Sequence, residues 1–360
     1  MDTCMREGFY NPSALYGPAL VAEKQMRAGR ERILQQLGST GRVTFTSGGT
    51  EANNLAILGS LSAKHGKGKV LYSAGEHPAV IEACRHAGAL GYETAVLPLD
   101  ASGRIDLEVA DELVTPDTLL MCVMHINNET GAVQPLEELA RLRAQRCARA
   151  HFHVDGVQAF LRHPLACDRL GIDTYALSAH KIHGPKGVGA LWTAKGTRLS
   201  PCTYGGGQEE GLRAGTENTC GIAGLMEAIR SYPKAHLMRQ NKLLLWERLR
   251  QAVPQAMLNG ADPASDHTAD HILNVSFPPV RAQTMLHALE AEGIYVGNGS
   301  ACSSRRRKDS HVLAAMGVSA AARESAIRFS LSPFNTADEM VCTAQAVQKA
   351  YERLRVFVRR

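Results

Sequence analysis

Near the middle of the chain lies Ser178-Ala179-His180-Lys181-Ile182-His183-Gly184-Pro185-Lys186-Gly187. A run with strand composition, Thr174 to Leu177, precedes it, and a second apolar run, Val188 to Trp192, follows. A lysine set among small residues, glycine and two histidines at a strand end can hold a carbonyl cofactor as a Schiff base. An amine buried beside other polar groups can titrate low enough to act as a nucleophile. The plain alternative is a surface lysine in a polar turn, and the flanking chain weighs between the two.

Toward the N-terminus, apolar spacing predicts a helix over 19–37 that is closed by Gly38 and Gly41. Arg42 to Thr46 reads as a strand, and Ser47-Gly48-Gly49-Thr50-Glu51 opens the next helix, 52–61. A strand, a small-residue turn and a helix N-terminus together present free N–H groups and a positive dipole end, which suits a phosphate. The turn is neither a Walker loop nor GxGxxG, and by itself it also reads as an ordinary helix cap. Strand and helix then alternate: strands over 69–74, 94–99, 119–126 and 152–155, helices over 77–88, 107–114 and 136–150. That alternation implies an α/β layer around a mostly parallel sheet, whose ligands bind at the carboxyl ends of the strands. Ser47 to Thr50, His77, Asn127 to Glu129, Asp155 to Gln158 and Ser178 to Lys181 all fall at such ends.

Toward the C-terminus, Tyr204 to Asn218 is a long glycine-rich, charged loop, of a length more often functional than idle in a compact fold. Helices over 219–230 and 235–253 lead into a second region. It has strands near 272–276, 295–296 and 326–331, a helix over 282–292 and a closing helix over 337–356. The loop Gly297 to Ser304 carries Cys302 and is followed by Arg305 to Lys308. Nearby cations lower a thiol from its usual pKa of about 8.5, so Cys302 reads either as an accessible nucleophile or as a structural thiol. Asp155 is either a strand-end acid or the partner of a protonated ring nitrogen. His77 is a helix-start residue or a ring that stacks and shuttles protons. Arg328 is a carboxylate clamp or an ion-pair partner.

The 360 residues exceed the ~250–300 at which single cores stop growing, so two domains are expected: a large one over 11–235 and a small α+β one over 236–360, with residues 1–10 packed with the latter. The net charge of +5, mixed with acidic residues, does not point to nucleic acid. No apolar run approaches the ~20 residues of a membrane span. Nine scattered cysteines without a CxxC pair argue against zinc or a disulfide framework and fit reduced thiols in a cytoplasm.

Eight short motifs occur in order: Ser-Gly-Gly-Thr-Glu (47–51), Glu-His-Pro-Ala-Val (76–80), Asn-Asn-Glu-Thr-Gly (127–131), His-Val-Asp-Gly-Val-Gln (153–158), the lysine stretch (178–187), Gly-Gly-Gly-Gln-Glu (205–209), Arg-Ala-Gly-Thr (213–216) and Gly-Ser-Ala-Cys (299–302). Together they resemble the cysteine desulfurases, class V pyridoxal-phosphate enzymes of the fold-type I aminotransferase superfamily. The resemblance runs from about Asn11 to the end of the chain. It implies that Lys181 carries the cofactor and abstracts the substrate α-proton, that His77 stacks on the ring, that Asp155 pairs with the ring nitrogen, and that Gln158 contacts the ring hydroxyl. It implies a phosphate held by Gly49, Thr50, Ser178 and His180, with Thr216 arriving from the second subunit of a homodimer. Asn128 and Arg328 take the substrate carboxylate. Cys302 accepts sulfur from L-cysteine as a persulfide, for an iron–sulfur scaffold or a tRNA-thiolation enzyme. The runners-up are another class V lyase or transaminase, such as a selenocysteine lyase, and a weakly active homologue serving as a binding scaffold. Glu210 and Asn298 depart from the family's usual basic residue and serine. Family chains normally open with a strand and an Asp-x-x-Ala-Thr-Thr turn. Here ten residues precede Asn11 without that motif, which leads to the expectation of intact cofactor binding with slow cysteine turnover.

Overall fold

The computed structural model describes residues 1–64, 66–233, 237–299 and 309–357. The chain divides into two compact units: 1–97, 107–125 and 135–232 form one, and 98–106, 126–134 and 233–360 the other. This division differs from the expected one in two places. Residues 1–10 belong to the first unit, because the Met1 side chain lies where a Cβ at Gly224 would stand and Cys4 contacts Cys220. Segments 98–106 and 126–134 leave the first unit for the second. There Gln134 binds the Gly103 carbonyl at 2.8 Å and the Ile105 amide at 2.9 Å.

The first unit holds strands β1 Arg42–Thr46, β2 Lys69–Ser73, β3 Glu93–Leu97, β4 Thr118–Met124, β5 His151–Asp155, β6 Thr174–Ser178 and β7 Gly189–Thr193. Its helices are α1 Asp2–Glu7, α2 Gly17–Leu37, α3 Gly49–Ser62, α4 Pro78–Ala89, α5 Leu107–Leu113, α6 Leu136–Arg146 and α7 Thr219–Ser231. The sheet order is β1-β7-β6-β5-β4-β2-β3. Strands β6, β5, β4, β2 and β3 run parallel, and β7 is antiparallel to both neighbours. Two reversals restore direction, so β1 runs with β6, and the carboxyl ends of β1, β6, β5, β4 and β2 lie on one edge. Strand β5 is buried along its whole length, as expected for a parallel strand covered on both faces. Helix α3 is buried almost all round, from Ala52 to Leu61, and packs its Ala52, Leu55 and Ala56 with Ala176 and Leu191 of the sheet.

The second unit holds an antiparallel sheet of order β10-β9-β8, with β8 Met257–Leu258, β9 Ile272–Ser276 and β10 Ala326–Ser330. Helices α8 Met238–Ala252, α9 Ala282–Glu290, α10 His311–Ala315, α11 Ala320–Glu324 and α12 Ala337–Leu354 belong to it. Leu249, Phe277, Met285, Ile327 and Val347 centre its core. Thr336 and Glu339 close a capping box at the start of α12, which satisfies two orphan amides. The expected strand at 295–296 does not form. The chain turns at Gly293 (φ 78°), and only Gly297 comes alongside β10, as an isolated bridge to Arg328.

Candidate active site

The turn after β1 leads straight into α3, whose first residues are Gly49 and Thr50. Among the described residues no side chain caps this helix, so its first amides face outward with the helix dipole behind them. The approach is close because side chains are missing. Gly48 holds φ 153°, and a Cβ at Gly189 of β7 would stand 2.7 Å from the Gly48 Cα. Ser178, at the end of β6, places its Oγ 2.8 Å from His180 Nδ1. Burial, then the Lys181 and Lys186 charges, lowers the His180 pKa. Lys181 follows on the 3₁₀ turn Ala179–Ile182, half-buried, with its carbonyl accepting from the Arg162 guanidinium.

The glycine-rich loop is tied to this framework at two points. Glu209 is buried and pairs with Arg30 at 2.9 Å while accepting the Phe45 amide at 3.2 Å. Arg213 pairs with Glu51 of α3 at 2.9 Å. Burial alone would raise the Glu51 carboxyl, but hydrogen bonds from Arg213 and Ser47 outweigh it and hold it below the usual range. Thr216 lies between these anchored parts and α7, exposed.

After β2, His77 is the N-cap of α4, and its Nδ1 accepts the Ala79 amide at 3.1 Å. Pro78 holds the first helical position and pushes the residue before it toward extended backbone, matching φ −67°, ψ 148° at His77. That bond puts the proton of the neutral ring on Nε2. Beside it, Glu76 is fully buried, and its Oε1 accepts the Ser73 hydroxyl at 2.7 Å and the Met124 amide at 2.6 Å, tying β2 to β4. Burial, and then the charge of Asp155, pushes its pKa up to about 8.

Asp155 ends β5, 5 % exposed. Its Oδ1 accepts the Val157 amide at 3.0 Å and its Oδ2 the Asn53 amide group at 2.7 Å. Gln158 stands on the turn that follows. Lys181, His77, Asp155, Gln158, Ser178, His180, Gly49 and Thr50 therefore all belong to one edge of one sheet.

Asn128 and Arg328 belong to the second unit and meet there: Arg328 Nη1 donates to the Asn128 carbonyl at 2.8 Å. Burial lowers the Arg328 pKa, with Glu129 opposing it. Its Nε is buried and has no hydrogen-bond partner among the described residues. Asn127 Oδ1 accepts the amides of Glu129 and Thr130, each at 2.9 Å, which holds the turn that carries Asn128. Cys302 and the Arg305 to Lys308 run lie outside the described residues. Sequence reasoning missed Glu76, Asn53 and His153. A signal was present for His153, since residues 151, 153 and 155 of a strand share one face and all three are polar here.

The family profile described as Aminotransferase class-V matches residues 6–341. The chain is 36% identical to "Cysteine desulfurase IscS" of Dictyoglomus turgidum, over 99% of this chain and 91% of that protein. It is 38% identical to "Cysteine desulfurase 2" of Trichormus variabilis, over 98% and 88%. A solved structure titled "NIFS-LIKE PROTEIN" superposes with a TM-score of 0.90 at 31% identity, covering 98% of this chain and 94% of that one. With this sheet, this lysine turn and these relatives, the chain belongs to the class-V aminotransferase family, among its cysteine desulfurases.

Proposed function

We propose that this chain binds pyridoxal 5'-phosphate on Lys181 and uses it to take sulfur from L-cysteine, leaving L-alanine and a persulfide on Cys302. The observation that carries the reading is the convergence of an uncapped helix N-terminus, a strand-end lysine and a buried strand-end aspartate on one sheet edge. These groups fit the cofactor by their chemistry: amides and a hydroxyl for a phosphate, an amine for a carbonyl, a carboxylate for a ring nitrogen. Pyridoxal phosphate supplies an electrophilic carbonyl and an electron sink.

The chain's own residues do the rest. Gly49, Thr50, Ser178 and His180 hold the phosphate, joined by Thr216 from a second copy of the chain. Asp155 keeps a proton on the ring nitrogen, and Gln158 meets the ring hydroxyl. His77 stacks on the ring and moves protons through Nε2, since Nδ1 is committed to Ala79. Lys181 Nζ takes the α-proton. Asn128 and Arg328 bind the substrate carboxylate, and the unmatched Arg328 Nε supports that role. The Cys302 thiolate attacks the substrate sulfur. An S–S bond forms as the C–S bond breaks, and the carbon keeps the electron pair and takes a proton. The persulfide then passes to an iron–sulfur scaffold or a tRNA-thiolation enzyme. All eight described cysteines are free thiols, which suits a reducing cytoplasm, and no described helix is long and apolar enough to cross a membrane.

The test is L-cysteine with a reductant and the cofactor-loaded protein, with L-alanine and sulfide measured together. Both should form in equal amounts. Neither forming overturns the reading, and turnover confined to selenocysteine moves the protein to the selenocysteine lyases. Cys302→Ser should keep the visible cofactor band and lose sulfide release by about 100-fold or more, the scale of losing a nucleophile. Sulfide release at the unmodified rate would remove Cys302 from the mechanism.

A homodimer would cover apolar residues that stand exposed near the N-terminus, Phe9 at 64% and Leu15 at 96% among them. Thr216→Ala should weaken cofactor retention without unfolding the protein, because a hydrogen bond to a charged group is worth roughly 1.5–3 kcal/mol. Equilibrium dialysis reads that loss, and light scattering reads the dimer.

A further inference from the structure

Beneath Asp155 lies a row of polar side chains with no place in the mechanism above. Asn53 of α3, His153 of β5, Thr174 of β6 and His151 of β5 are all buried, His153 and Thr174 completely. They are linked in sequence. Asn53 Nδ2 is 2.7 Å from Asp155 Oδ2, and Asn53 Oδ1 is 3.0 Å from His153 Nε2. His153 Nδ1 is 3.0 Å from Thr174 Oγ1, which is 2.8 Å from His151 Nε2.

The first bond directs the Asn53 amide and the His153 Nε2 proton, and the neutrality of the His153 ring directs the remaining bonds. A carboxylate only accepts, so the Asn53 amide must turn its NH₂ to Asp155 and its oxygen to His153. That oxygen only accepts, so His153 Nε2 carries a proton. Burial, and then the His151 charge, push the His153 pKa down to about 3 against a Thr174 backbone hydrogen bond that raises it; a neutral ring holds one proton, and with that proton on Nε2 its Nδ1 accepts from the Thr174 hydroxyl. The hydroxyl hydrogen is then committed, and Thr174 Oγ1 receives the Nε2–H of His151. Each donor in the row points toward Asp155.

We infer that Asn53, His153 and Thr174 form a one-way hydrogen-bond relay that orients Asp155 and stabilises its negative charge for the cofactor's ring nitrogen, which makes Asn53 and His153 positioning residues. This rests on the pyridoxal-phosphate reading above. Apolar side chains would fill the space without the cost of burying four polar groups. The relay instead delivers one oriented N–H to a carboxylate whose other oxygen is taken by Val157. Other titratable groups interact with the row: Lys64 and Arg143 with His151, and Glu76 and Tyr175 with Asp155, the first raised and the second raised well above its usual value, with burial the leading cause in both.

Two measurements test the relay. In the cofactor-free protein, long-range ¹H–¹⁵N spectra should show His151 and His153 neutral at pH 7 with the proton on Nε2. A His153 ring protonated on Nδ1 overturns the direction, and this needs no variant to fold. In the loaded protein, Asn53→Ala should lower kcat by about 10-fold or more with KM within about 3-fold, as for other groups that orient a reacting residue. It should also shift the pH midpoint of the visible cofactor band by about one unit, with cofactor stoichiometry unchanged. His153→Gln, which retains an N–H donor, should behave like the unmodified protein, and His153→Leu like Asn53→Ala. A band that titrates unchanged in Asn53→Ala and His153→Leu, with activity falling only with the folded fraction, reduces the row to packing. A shifted band in a protein that yields no alanine from cysteine leaves the relay standing and removes the desulfurase reading. A protein that takes up no coloured cofactor overturns both.

Discussion

Replacing Lys181 with alanine should abolish turnover, lowering alanine and sulfide release by roughly 1,000-fold or more, since one side chain supplies both the cofactor attachment and the proton transfer. The protein should still fold. Lys181 sits half-buried on a short 3₁₀ turn after β6, outside the apolar core, and Arg162 binds its backbone carbonyl, which the substitution keeps. Lys181→Arg should fail equally, because a guanidinium keeps the charge but does not condense with a carbonyl at neutral pH. Borohydride reduction followed by peptide mass analysis locates the attachment. A reducible lysine adduct that persists in Lys181→Ala would falsify the assignment and send the search to another lysine.

Acidification from pH 6.5 to 4.5 should destabilise the folded protein steeply. Burial pushes His125, His151 and His153 down to about 3. The His163 charge adds to it at His125, Lys64 and Arg143 at His151, and His151 at His153. The unfolded chain protonates all three below about pH 6.5 and the folded chain does not, so their stabilisation is complete above that pH and is lost as pH falls toward 3. Glu76 acts in the opposite sense. Its folded pKa is raised to about 8, by burial first and Asp155 second. The native state keeps a proton that the unfolded chain releases above about 4.5, so its contribution is present at low pH and is lost as pH rises through 8. Between pH 4.5 and 6.5 these four groups together take up about two protons net on unfolding, a contribution of roughly 2.7 kcal/mol per pH unit to the slope. Urea unfolding at half-unit steps across that window reads the slope. A value below about one proton would mean that the buried rings are charged, and a value near three that the acid is ionised. Glu76→Gln should remove the decline in stability between pH 6.5 and 8, because an amide accepts the Ser73 and Met124 bonds without titrating.

The parallel core of the sheet was legible because its strands are short apolar runs separated by helix-length amphipathic segments, and such alternation has few packings. The placement of Lys181, Asp155, Ser178 and Gly49 at strand ends followed from that periodicity alone. A two-residue run such as Tyr295-Val296 carries no such signal, and the left-handed turn at Gly293 decided its fate. Segments 98–106 and 126–134 look like ordinary loops of the first unit. Their membership of the second depends on side chains far apart in sequence, such as Asn274 donating to the Glu129 carbonyl at 3.0 Å, and no local pattern encodes that.

By itself, the sequence determined the α/β class, the order of the motifs and the chemistry available at each strand end, because strand and helix periods and side-chain types are local properties. Tertiary structure alone decided which polar groups are taken from water and what they then meet. Asn53 reads as one more small polar residue of α3 until packing sets it between Asp155 and His153. Glu76 reads as an ordinary acid until the ends of β2 and β4 enclose it. Desolvation and hydrogen-bond direction belong to the assembled core: they depend on neighbours 100 residues apart for Asn53 and His153, and no stretch of chain contains them before it folds.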